Sequence, residues 1–229
     1  MFAWSSSSPR SSSSSLLPAP LALPVQWAAN YLPMILTVAV LLGLSAGIIR
    51  AWIGKRGYRV EELKAPGLVI LAFLPQLLVF ILPITRERFS DPLASIFFSI
   101  SLVFLLAFSL INIRKSGFWM IGVGFLANVL AIILNGGWMP ISPEMTSTLF
   151  PNAAPGSWEI GKRLGFSKDI VLSSQSTKLA FLADRFTLPD WIQYKVAFSI
   201  GDVLIFIGVV WLLWALGGKQ KKIIQGDRE

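Results

Sequence analysis

Five long runs of apolar residues dominate the chain: about Leu32 to Ile49, Pro66 to Pro83, Pro92 to Ile111, Gly117 to Leu134 and Ala197 to Leu216. Each is 18 to 20 residues long, none contains Lys or Arg, and only the last contains an acid, Asp202. About 20 residues of α-helix at 1.5 Å per residue cross the ~30 Å hydrocarbon layer of a bilayer. In that solvent every backbone N–H and C=O must be paired within its own segment, which selects helices. The strict apolar–polar alternation of a membrane β-barrel is missing. The pattern therefore predicts an all-α membrane protein, a bundle of five transmembrane helices spanning residues 31–217.

The charged residues between the runs set an orientation. Arg50, Lys55, Arg56, Arg59 and Lys64 separate the first two runs, Arg114 and Lys115 the third and fourth, and Lys219, Lys221, Lys222 and Arg228 follow the fifth. In a five-span protein all three segments share one side, which the positive-inside rule makes cytoplasmic. The expectation is a multi-pass cell-membrane protein with its N-terminus outside, a basic cytoplasmic tail at 218–229, and anionic headgroups as partners of the cytoplasmic face. Residues 1–30, with serine runs at 5–8 and 11–15 and prolines at 18, 20 and 24, read as a disordered leader. Met34 is an alternative start.

The 135–196 segment is the one sizeable piece outside the runs. Leu179, Leu182, Ala183 and Phe186 recur at i, i+3, i+4 and i+7, which predicts a short amphipathic helix over Thr177–Phe186, lying on the outer surface as a cap on the bundle.

Composition narrows the chemistry. Hydrophobic residues make up 54% and charged residues 14% of the 229, with a net charge of +8 and neither Cys nor His. Thiolate nucleophiles, the commonest general base and the commonest metal ligands are thereby excluded. The excess of positive charge flanks the apolar runs instead of forming one soluble face, so it argues for lipid and topology, not nucleic acid. No catalytic constellation stands out, and no metal or cofactor is expected.

Polar residues inside apolar spans are costly and so informative. Gln76 and Asn128 fall about 15 Å deep in their spans, which predicts a midplane hydrogen-bonded pair. Asp202 lies near the outer end of the fifth span, where the helix dipole favours a carboxylate. Its expected partners are the Asn135–Gly137 turn, Lys178, Arg185 or Lys195. Together with Asp184 these residues make a candidate outer-face polar site: Asn135, Gly137, Lys178, Asp184, Arg185 and Asp202. Ala39, Gly43 and Gly47 form a small-residue face on the first span, suited to packing within the bundle or to a homo-oligomer.

Asn135-Gly136-Gly137-Trp138-Met139-Pro140-Ile141-Ser142-Pro143-Glu144 closes the fourth span. With Thr177-Lys178-Leu179-Ala180-Phe181-Leu182-Ala183-Asp184, Leu188-Pro189 and Phe198-Ser199-Ile200-Gly201-Asp202-Val203, it resembles the signature of a bacterial integral membrane family catalogued as domain of unknown function 5317. The resemblance covers roughly residues 34 to 216. It implies a small protein of several membrane helices and carries no activity with it. The leading functional expectation is a non-enzymatic accessory or binding subunit with a polar site at the outer face and a membrane-protein partner. A small transporter using Asp202, Gln76 and Asn128, and an enzyme acting on lipid through Asp184 or Asp202, are the alternatives.

Overall fold

The structure is a computed structural model that describes residues 32–154, 156–189, 191–192 and 194–218; the leader and the basic tail beyond Gly218 lie outside the described residues. It is mostly helical. The long elements are α1 (Leu32–Ile53), α2 (Gly67–Gln76) with a π-helical extension (Leu77–Ile81), the single turn α3 (Pro83–Arg86), α4 (Asp91–Ile111) and α5 (Phe118–Leu134). The cap follows, with β1 (Met139–Ile141), α6 (Pro143–Leu149), β2 (Asp169–Val171), a 3₁₀ turn (Ala180–Leu182), β3 (Phe186–Thr187) and β4 (Ala197–Phe198), and then α7 (Ile200–Leu216).

Two of these helices, over Ile35–Ile53 and Asp91–Ile111, are long and apolar enough to cross a membrane, with mean hydropathies of 1.9 and 2.5. Three shorter apolar helices cover Gly67–Ile81, Phe118–Leu134 and Ile200–Leu216.

Local chemistry explains the boundaries. Pro75 lies inside α2 and has no N–H to donate, and the helix continues as the π turn before Leu82 turns extended (φ −79°, ψ 115°). Gly117, at φ +81°, takes the left-handed conformation that lets α5 start sharply after α4. At the same end, Asn112 latches the loop before α2: Lys64 N–H donates to Asn112 Oδ1 (2.9 Å) and Asn112 Nδ2 donates back to Lys64 O (3.0 Å).

The helices pack in the spatial order α1–α7–α5–α4–α2. Ala39, Gly43 and Gly47 face α7. Ala39 is fully buried, a Cβ on Gly43 would stand 2.9 Å from Val210 Cα, and one on Gly47 would meet Leu213 and the Tyr58 ring. This face is thus occupied inside the chain. The main core joins Val79, Phe98, Leu102, Val129 and Ile132 to Trp138, Met139 and Leu182 of the cap. A second, smaller core of Ile141, Leu164, Val171 and Ala197 lies within the cap itself.

Three expectations are corrected here. The chain is not purely helical: β1 pairs with β2 in parallel, Met139 opposite Asp169, and β3 pairs with β4 antiparallel, Phe186 opposite Phe198. The amphipathic helix over Thr177–Phe186 does not form. Its backbone is drawn into longer-range bonds instead: Asn135 takes both the N–H and the C=O of Lys178 (2.8 Å each), Asp184 N–H donates to Pro140 O (3.0 Å), and Arg185 N–H donates to Phe198 O (3.3 Å). Only the 3₁₀ turn survives, and of the expected apolar face Leu182 and Ala183 are buried while Leu179 and Phe186 are exposed. Finally, α7 begins at Ile200, because Ala197 and Phe198 are spent in β4.

Candidate functional site

The site is built where the cap meets the ends of α5 and α7. Ser199-Ile200-Gly201-Asp202 opens α7 with a capping box. Asp202 N–H donates to Ser199 Oγ (3.0 Å), and Ser199 N–H donates to Asp202 Oδ2 (3.0 Å). Asn128 of α5 completes the cluster: its Nδ2 donates to Asp202 Oδ1 (2.8 Å), and the Ser199 hydroxyl lies 2.9 Å from Asn128 Oδ1. Glycine at 201 makes this possible, since a Cβ there would sit 2.7 Å from Asn128 Cγ and 2.8 Å from Gly124 O. The expected Gln76–Asn128 pair is therefore not formed. Asn128 belongs to the α7 end, and Gln76 Nε2 donates instead to Ser101 Oγ on α4 (2.6 Å).

The cap brings a lysine over this cluster. β1–β2 pairing, together with the bond from Met139 N–H to Lys168 O (2.9 Å), fixes the backbone at Lys168. The Lys168 ammonium bonds Asp184 and lies 3.2 Å from Asp169 Oδ1. The Asp184 side chain is 1% exposed, and its Oδ1 has no hydrogen-bond partner. Burial alone would lower the Lys168 pKa, but the surrounding Asp169, Asp184 and Asp202 push it up. Burial drives the Asp184 carboxyl well above the ordinary carboxylate range; the Lys168 charge opposes this, and the charges of Asp169 and Asp202 reinforce it. One ammonium is thus shared between Asp169 and Asp184, with the Asp202 charge nearby.

A pH dependence follows. A carboxyl whose folded pKa is raised contributes stability that is full below the unfolded value, about 3.9, and is lost as pH rises through the folded one. Lys168, shifted up, contributes until strongly alkaline pH. Amide exchange at β1 and β2 should therefore quicken from pH 5 to pH 8, after correction for intrinsic exchange, and this trend should vanish in Asp184→Asn. An unchanged trend in that variant would show that Asp184 is not its source.

A second anchor stands beside it. Arg163, 5% exposed at its side chain, pairs with Asp91 at the start of α4 (3.1 Å) and donates to Ser167 O (2.7 Å) and Phe166 O (3.0 Å). Its guanidinium lies 4.2 Å from the Trp138 ring centroid and 5.5 Å from that of Phe80. Gly137, at φ +86°, lets the chain pass against Ser95, where a Cβ would stand 2.8 Å from the serine side chain.

Of the six residues expected at the outer-face site, Asp184 is bonded to Lys168, while Asp202 is bonded to Asn128 and Ser199 and reaches Lys168 only through its charge. Asn135 holds the Lys178 backbone, and Gly137 allows close approach to α4. The Lys178 and Arg185 side chains point outward, Arg185 lying 5.9 Å over Phe186. Sequence reasoning missed Lys168, Asp169, Arg163 and Ser199. The Ser199-x-x-Asp202 spacing was a usable signal for a capping box; the others lie in a loop with no local periodicity.

Chemically the arrangement is a buried polar joint between cap and helices, centred on the Lys168–Asp184 pair. Among the described residues no group of three or more Asp or Glu is placed to hold a metal ion. No curated protein and no solved structure matches the chain. The model of a family of unknown function, DUF5317, matches residues 61–214, about two thirds of the sequence, and the chain belongs to that family.

Proposed function

We propose that this is a five-span cell-membrane protein, N-terminus outside and C-terminus cytoplasmic, that works without catalysis as a binding or accessory subunit through its outer cap. The five-span reading is supported by the exposure of the helices. Only 22% and 28% of the two longest apolar windows is buried, whereas the core helix of a soluble domain is mostly covered. Leu, Ile and Val side chains on α1, α2, α4 and α5 are 40–60% exposed in large numbers, as a lipid-facing surface requires. The two 17-residue helices reach about 25 Å at 1.5 Å per residue. The basic loops gather at the end away from the cap.

One observation carries the functional part: the cap encloses an ion-paired cluster while three of its large apolar side chains stand in the open. Arg163, Lys168 and Asp184 are buried, while Trp191 is 81%, Ile160 60% and Phe181 54% exposed. Exposed aromatic groups beside a rigid polar joint fit recognition of a membrane-protein partner. A transporter would place Gln76 and Asn128 on one path; they are bonded on separate helix pairs.

Because the chain has no Cys, topology can be mapped with single cysteines. Ser174→Cys is expected to label from outside intact cells, and Lys221→Cys only after permeabilisation. Labelling of both from one side would refute the arrangement. Affinity purification from native membranes in mild detergent should capture a membrane protein that is lost in the Phe181→Asp/Trp191→Asp variant. Identical captures with both proteins would remove the cap from the role given it here.

A further inference from the structure

Towards the end opposite the cap, an open groove of about 340 Å³ runs along α7 beside its close contact with α1. Its walls are Ala46, Ile207, Val210, Trp211 and Trp214, all apolar. Trp211 and Trp214 are 40% and 42% exposed, and Trp119 packs edge-on against Trp211 at 6.1 Å, which fixes that ring. The groove ends at a cation. The Arg50 guanidinium lies 3.8 Å from the Trp214 ring centroid and donates to the Trp214 carbonyl at 3.4 Å. Five N–H donors sit on a guanidinium. Among the described residues this long bond is the one hydrogen bond Arg50 makes; its guanidinium lies over the Trp214 ring and against Gly218, with donors left over. Lys55 and Arg56 follow within two turns, Arg56 tied to Gly218 O at 2.9 Å.

We infer that this groove binds an anionic phospholipid, with an acyl chain along Trp211 and Trp214 and the phosphate on Arg50. The inference rests on the spanning reading above, which puts this end of α1 and α7 at the cytoplasmic leaflet. Three features select the ligand. The slot is apolar along its length and suits a hydrocarbon chain. The cation closing it presents a planar fork matched to phosphate. Basic pockets between membrane helices on the cytoplasmic side take anionic headgroups. A free phosphate ion would use Arg50 and leave the groove empty, so dependence on the acyl chain separates the two sources.

The test uses the full chain in phosphatidylcholine vesicles containing a minor fraction of either brominated phosphatidylglycerol or brominated phosphatidylcholine. Bromine quenches tryptophan on contact, and the seven tryptophans outside the groove give a common background. The anionic lipid is expected to bind about fivefold more strongly than the zwitterionic one, the effect of one basic residue near the surface. Arg50→Gln should abolish that preference. Ala46→Phe, which fills the groove and keeps the charge, should reduce quenching by both lipids, and it decides the matter if Arg50→Gln does not incorporate. Equal quenching by the two lipids, or a preference that survives both substitutions, overturns the site; so does a groove protected from quenching by a protein helix. Failure of the spanning reading looks different, because the chain would then be stripped from the vesicles by an alkaline wash.

Discussion

Lys168→Met should lower the thermal stability of the purified protein in mild detergent by about 3–5 kcal/mol, the usual cost of removing one partner from a buried ion pair. In a chain of this size that is a fall in Tm on the order of 10 °C. The loss comes from the carboxylates that stay behind. Asp184 is 1% exposed, already lacks a partner on Oδ1, and would share its pocket with Asp169 without a compensating cation. Substituting both ends, Lys168→Met with Asp184→Leu, is expected to recover most of the loss, because an apolar pair of similar volume carries no desolvation penalty. A Tm within 2 °C of the parent for Lys168→Met alone would show that the pocket is wet, and the buried joint would have to be abandoned.

The α5–α7 contact should be equally intolerant of added volume. A Cβ at Gly208 would lie 2.6 Å from Ile121 Cγ1 and 2.8 Å from Gly117 O, and one at Gly124 would lie 2.5 Å from Gly201 O. Backbone cannot yield as a side chain does, so Gly208→Val and Gly201→Val are expected to cost at least the ~1–3 kcal/mol typical of overpacking. Gly201→Val should cost more, since it also displaces Asn128 from Asp202. Gly122→Ala is the control. It lies on α5, the partner helix, but the nearest neighbour of its Cβ would be 3.5 Å away, and it should be neutral. Size-exclusion chromatography after graded heating reads all three; equal survival of Gly201→Val and Gly122→Ala would mean that the two helices are not in contact there.

The helices were legible because apolar burial imposes a long, local signal: runs of Leu, Ile, Val and Phe opened by Pro66 and Gly117, though the last run reads from Ala197 and its helix starts only after Ser199. Family membership was legible for a related reason, since the stretch from Asn135 to Glu144 packs much unusual chemistry into ten positions. What stayed hidden depends on separation in sequence. β1 and β2 are three residues each and lie some 30 residues apart, so neither shows alternation long enough to read. Thr177–Phe186 has helical periodicity, yet its backbone groups gain more from Asn135, Pro140 and Phe198 than from one another. Asp202 announced itself by its cost in an apolar run, while its partner was misjudged. The depth of Asn128, counted from the far end of its span, hid its position near the Ser199 cap. Lys168 looked like any loop lysine, and only the fold encloses it.

The spatial order of the helices also has a consequence for biosynthesis. Among the described helices α1 packs chiefly on α7, and Arg50 meets Trp214 across 164 positions of sequence. Until the ribosome has delivered α7, the small-residue face of α1 lacks the helix that covers it. A nascent chain stalled before residue 200 therefore exposes Ala39, Gly43 and Gly47, and completion of the C-terminal helix is the step that commits the N-terminal one to its place.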